Sequence, residues 1–131
     1  VPIYTCTTVA STLDAQTKAE LAAEITRIHS RVNHVPSTYI NVVFHELALD
    51  AVYTDAQQSQ PLLISGWVRT GHPDDETSQL LSEVAEAATR VTGIPSARIL
   101  VIIQNSPAHF AMEGGRVLPN PGEEQAWLAG H

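Results

Sequence analysis

Laid over itself at an offset of 59 residues, with no gap, the first third of this chain matches its middle. Residues 1–46 fall on residues 60–105, with identities at Pro2/Pro61, Val9/Val68, Leu21/Leu80, Glu24/Glu83, Arg31/Arg90, Val32/Val91, Pro36/Pro95, Ser37/Ser96, Ile40/Ile99 and Val42/Val101. Ile3/Leu62, Ile25/Val84, Val35/Ile94 and Phe44/Ile103 keep apolar character between them. An internal repeat of this kind restricts the chain to a fold made of two like units.

Each unit reads as strand, helix, strand. Short strands open them at Ile3–Val9 and Leu62–Val68. In the first helix, from about Asp14 to Val32, residues Leu21, Ile25, Ile28 and Val32 recur on one face. The second, from about Asp74 to Thr92, repeats this with Leu80, Leu81, Val84, Ala88 and Val91. Pro73 suits the first helical position, and Asp74, Asp75 and Glu76 favour the positive helix start. Gly93 and Pro95 mark the stop. Pro-Ser then leads into Ile40–His45 in one unit and Ile99–Gln104 in the other.

Two strands of one sheet joined by a helix of about 18 residues run parallel through a right-handed crossover. The expected fold is therefore α/β: a duplicated β-α-β unit giving a four-stranded mixed sheet with both helices on one face. One domain of residues 1–131 is expected, with repeats at about 1–47 and 60–105 and a C-terminal arm from 106 to 131. Val42, Val43 and Phe44, like Leu100 to Ile103, are apolar on both strand faces. That pattern expects cover on both sides of the sheet, and so self-association.

With 7 basic against 14 acidic residues, the net charge is −7. This disfavours nucleic acid and anionic membrane surfaces as partners. An anionic substrate would need a few cations placed against the general field. Cys6 is the only cysteine, so no intrachain disulfide and no Cys-rich zinc site can form. His34, His45, His109 and His131 show no metal-ligand spacing, Ser65 and Ser106 sit in no nucleophile elbow, and Gly114-Gly115 reads as a tight turn. Neither a signal segment nor a membrane span is evident, so a cytoplasmic protein without metal or cofactor is expected.

The opening Pro2-Ile3-Tyr4-Thr5-Cys6, then His29, Arg69 and the tail Glu113-Gly114-Gly115-Arg116-Val117-Leu118-Pro119-Asn120-Pro121-Gly122-Glu123-Glu124 with Trp127 carry a resemblance across the chain. Together they resemble the tautomerase superfamily, in its cis-3-chloroacrylic acid dehalogenase-like group. The resemblance implies a homotrimer acting on a small carboxylate, with Pro2 as acid or base through a free secondary amine. Such an amine has a reference pKa of about 7.7–8.0. It further implies that His29 polarises substrate, that Arg69 clamps the carboxylate and that Glu113 activates water. His72 stands where a second arginine is expected, Ile102 where a water-activating tyrosine is expected, and Gly114 where the tail has another tyrosine.

Val1 precedes Pro2, and while it is attached the Pro2 nitrogen is an amide without a basic lone pair. Three functions stay open at this point. One is keto-enol tautomerisation of a small 2-oxo or unsaturated carboxylic acid. The second is weak cis-3-haloacrylate dehalogenation or hydration through Glu113. The third is a non-catalytic trimer that keeps an anion-binding pocket.

Overall fold

The computed structural model describes residues 2–130; Val1 and His131 lie outside the described residues. Strand β1 (Ile3–Val9) leads into helix α1 (Ala15–Asn33) and strand β2 (Asn41–Leu47). A small hairpin follows, β3 (Tyr53–Thr54) with β4 (Gln57–Gln58). The second unit is β5 (Leu62–Arg69), α2 (Asp74–Thr92) and β6 (Ile99–Ser106), then the hairpin β7 (Met112–Glu113) with β8 (Arg116–Val117). A short helix α3 (Glu124–Ala129) ends the described chain.

The main sheet runs β2-β1-β5-β6. Pairs β1–β2 and β5–β6 are parallel, while β1 and β5 meet antiparallel at the centre. Both long helices lie on one face, and a single core joins the two units: Tyr4, Cys6, Leu21, Ile25 and Ile28 from the first, Leu62, Ile64, Leu80, Val84 and Ala88 from the second. On the opposite face Ile3, Val43, Leu47, Leu100 and Ile102 remain exposed. The expected architecture, one uncovered sheet face included, is the one observed.

Helix ends follow local chemistry. Asp14 caps α1 by accepting from the Thr17 N–H at 2.8 Å. Pro73 stands one residue earlier than expected, at the N-cap of α2 instead of its first helical position. It offers no side-chain cap, and the acidic first turn Asp74, Asp75 and Glu76 faces the positive end instead. Gly93, at φ +74, closes α2 in the left-handed conformation that glycine adopts without strain. Two of the repeated charge pairs also find their reason. Arg90 donates to Glu24 and Arg31 to Glu83, so equivalent residues bridge the two helices reciprocally.

The ungapped repeat is wrong in the first strand. Tyr4 pairs with Val42 and Ile64 pairs with Val101, so the structural partner of Tyr4 is Ile64, at an offset of 60. The central pairing agrees, because Thr5 faces Ser65 across the pseudo-two-fold axis. Side chains alternate along a strand, so a one-residue slip sends them to the wrong face. Pro2/Pro61 and Val9/Val68 are therefore coincidental identities. The offset returns to 59 at the helices, because α2 starts one residue sooner after its strand than α1 does. From there the duplication outruns its sequence signal, since β3–β4 and β7–β8 are equivalent hairpins at the same offset. Gly114 and Gly115, at φ +62 and +79, make the expected tight turn, as Asp55 and Ala56 do in the first hairpin.

At the centre of the sheet Tyr4 lies opposite Gly66. A Cβ on Gly66 would come 2.7 Å from Tyr4 Cε1 and 2.9 Å from Ile103 Cδ1. Gly66→Ala should therefore destabilise the fold by about 1–3 kcal/mol, the usual cost of overpacking. Urea denaturation reads this directly, and an unchanged midpoint would show that the Tyr4 ring is not held there.

Candidate active site

Antiparallel pairing of β1 and β5 brings the start of one and the end of the other to the same edge of the sheet. Pro2 is buried there, one step beyond the Ile3–Trp67 pair, and its carbonyl accepts from the Asn41 N–H at 3.1 Å. Tyr4 follows on the same face of the strand, fully buried.

His29 meets it from α1. Its Nδ1 lies 2.8 Å from the Tyr4 hydroxyl, and its Nε2 lies 3.2 Å from Asn33 Nδ2. With the Asn33 amide nitrogen donating, Nε2 accepts, Nδ1 carries the proton, and Tyr4 Oη receives it. That leaves the Tyr4 O–H proton available to a further acceptor. Asn33 is itself buried, with Oδ1 unpartnered among the described residues. Burial, reinforced by the nearby His72 and Arg69, pushes the His29 pKa down to about 3. The ring is thus neutral at physiological pH. Burial also raises the Tyr4 hydroxyl above its ordinary value, with Cys6 adding to the effect, so it stays protonated.

Arg69, the last residue of β5, is only 6% exposed. Its Nη1 donates to the Pro119 carbonyl and its Nη2 to Glu124 Oε1, both at 2.7 Å. Burial raises the Glu124 pKa, but the hydrogen bonds from Arg69 and from backbone N–H groups, together with the Arg69 charge, outweigh it, and the net result lies below the usual carboxylate range. His72, in the turn before α2, places Nδ1 2.7 Å from Glu76 Oε2. Pro2, His29, Arg69 and His72 therefore gather at one edge, with Tyr4 and Asn33 as members to which the sequence alone assigned no role in the site.

Glu113 is the last residue of β7. Its hairpin is rooted by the Leu118 N–H to Ala111 carbonyl bond, one residue before the Pro119 contact to Arg69. Glu113 Oε1 is buried without a hydrogen-bond partner among the described residues. Ile102 lies on the uncovered sheet face, 44% exposed. Trp127 packs the tail: its indole N–H donates to the Val117 carbonyl at 2.8 Å, and Arg116 stacks 4.2 Å from the ring centre. Among the described residues no group of three or more His, Cys, Asp or Glu could hold a metal ion. No helix among them is long and apolar enough to cross a membrane.

Duplication did not copy this edge. The structural counterparts of Tyr4, His29, Arg69 and His72 are Ile64, Ala88, Val9 and Thr12. Only one of the two equivalent edges carries polar machinery.

A duplicated β-α-β sheet with a buried polar edge beside a proline defines a class, and comparison with known proteins gives it a family. The family model Tautomerase_3, described as "Putative oxalocrotonate tautomerase enzyme", matches residues 1–130. The chain belongs to this family, within the tautomerase superfamily. The solved structure of native Ps01740 is 33% identical, with a TM-score of 0.83 over 85% of this chain and 99% of its own. N1, a member of the cis-3-chloroacrylic acid dehalogenase family, is 23% identical with a TM-score of 0.92, over 97% of this chain and 90% of its own. An asymmetric trimer, F6 fused 4-OT, shares the fold at 16% identity and a TM-score of 0.83, over 88% of this chain and 94% of its own. A search among curated proteins gave no match.

The depressed His29 pKa has a measurable consequence. Unfolded, the ring titrates near 6.5; folded, near 3. The unfolded state therefore binds the extra proton first, and stability present above pH 6.5 is lost as pH falls toward 3. His29 should contribute a loss of several kcal/mol over that window. Its imidazole NMR signals should not shift between pH 5 and 8, and His29→Gln should flatten the acid limb of the stability curve. A His29 signal titrating near 6.5 would refute the buried neutral ring.

Proposed function

We propose that this chain catalyses keto-enol tautomerisation of a small 2-oxo carboxylic acid. The observation that carries the reading is the gathering of Pro2, the Tyr4–His29–Asn33 chain and Arg69 at one sheet edge. Arg69 holds the substrate carboxylate, for which a planar guanidinium is suited. Pro2, once its nitrogen is a free amine, takes a proton from the carbon beside the ketone and delivers it to the enolate oxygen, which gives the enol and restores the amine. Both nitrogens of His29 are taken, so the ring works through Tyr4, orienting a hydroxyl that donates to the oxygen on which charge develops. His72 adds positive charge when protonated.

Val1 is the condition on this chemistry. Beginning the chain at Pro2 should raise enolisation of a 2-oxo acid by about 10²–10⁴-fold, the range for a positioned acid or base. Ultraviolet absorbance of the enol follows the rate in both forms. The Val1–Pro2 peptide bond favours a second reading, an anion-binding protein without proline chemistry, and the absence of any gain would select it. Dehalogenation or hydration through Glu113 is the lesser enzymatic alternative, because Ile102 offers no hydroxyl to activate water.

The assembly we propose is a homotrimer. Support comes from the exposed apolar row Ile3, Val43, Leu47, Leu100 and Ile102, and from trimers among structures of this fold. Sedimentation at micromolar concentration should give about three times the 14.2 kDa chain mass. A stable monomer would overturn it.

A further inference from the structure

Arg69 already holds a carboxylate. Glu124 Oε1 accepts from its Nη2, and the other carboxylate oxygen accepts from the Gly122 N–H at 2.9 Å. The tail thus supplies from within the chain the group that a substrate acid would bring from outside. Beside this pair lies a narrow cavity walled by Val35, Pro36, Tyr39, Pro119, Trp127 and Leu128. Its lining is mainly apolar, with Arg69 and Glu124 as its charged members.

The helix carrying Glu124 is weakly seated. None of the residues of α3 is buried. It is held by the Arg69 ion pair and by the contacts of Trp127, whose ring also meets Tyr39 edge-on at 6.3 Å. A short segment with so little buried apolar surface opens readily.

We propose that Glu124 is a self-ligand of Arg69, and that a carboxylate with an apolar substituent binds by replacing it and releasing α3. This rests on the reading of Arg69 as the carboxylate-binding cation and adds a gate and a selectivity to it. Exchanging one carboxylate for another leaves the Arg69 charge balance nearly unchanged, so the ionic contact alone gives an incoming acid little advantage. A tethered competitor also acts at an effective concentration on the order of millimolar. The advantage comes from the substituent, which covers Val35, Pro36 and Tyr39 when the tail leaves. Acids such as phenylpyruvate are therefore admitted in preference to pyruvate.

Calorimetric titration of both acids into four proteins tests this: wild type, Glu124→Gln, Glu123→Gln and Arg69→Ala. Glu123 is the neighbouring carboxylate outside the Arg69 contact, so its variant loses the same charge without opening the gate. Glu124→Gln should bind both acids about tenfold or more tightly, since removing a closed state restores the competent fraction. Glu123→Gln should stay within about twofold of wild type. In the wild type, phenylpyruvate should bind better than pyruvate and should speed amide exchange across residues 124–129. Equal gains in the two glutamate variants, no gain in Glu124→Gln, or unchanged exchange in the tail would overturn the gate and leave the carboxylate site standing. Arg69→Ala binding as well as wild type would remove the carboxylate site itself.

Discussion

The antiparallel contact between β1 and β5 sets where everything else can be. Within each unit the strands are parallel, so a unit alone keeps its two strand beginnings at one edge and its two strand ends at the other. Joining the units head to tail puts the beginning of β1, with Pro2, beside the end of β5, with Arg69. That contact closes only because Gly66 leaves room for the Tyr4 ring. The ring in turn brings its hydroxyl to His29. A single missing Cβ therefore supports both the core and the polar edge.

Electrostatics at that edge run against the rest of the molecule. The chain carries net charge −7, yet Arg69 and His72 lie together beside His29, which is neutral because burial and those neighbours disfavour its protonation. Protonation of His29 is disfavoured there, and the Tyr4–His29–Asn33 chain remains a set of oriented neutral dipoles. Glu124 completes the balance in the free chain by neutralising Arg69. Charge is thus concentrated in one buried guanidinium, and its partner arrives from the far end of the sequence.

Helices and strand types were legible because they rest on local periodicity. Leu21, Ile25 and His29 are spaced by four, so the burial of His29 was present in the same pattern that gave the helix face. Tyr4 likewise alternates with Cys6 and Thr8. The strand register was not legible, since both faces of these short strands carry apolar residues and an ungapped match tolerates a slip. Nor was the environment of Arg69, because Pro119 and Glu124 lie 50 and 55 residues further on. Contacts closed over that distance leave no periodic trace.

The unequal copying of the two halves fixes a stoichiometry. The pseudo-two-fold axis between Thr5 and Ser65 supplies two geometrically related edges per chain, but at the second one Ile64, Ala88, Val9 and Thr12 occupy the corresponding places. Hydrocarbon and a hydroxyl there neither attract an acid nor move a proton. On the proposed function, each chain accordingly offers ligand one equivalent, not two. The spare edge, relieved of chemistry, is free to vary in whatever way packing permits.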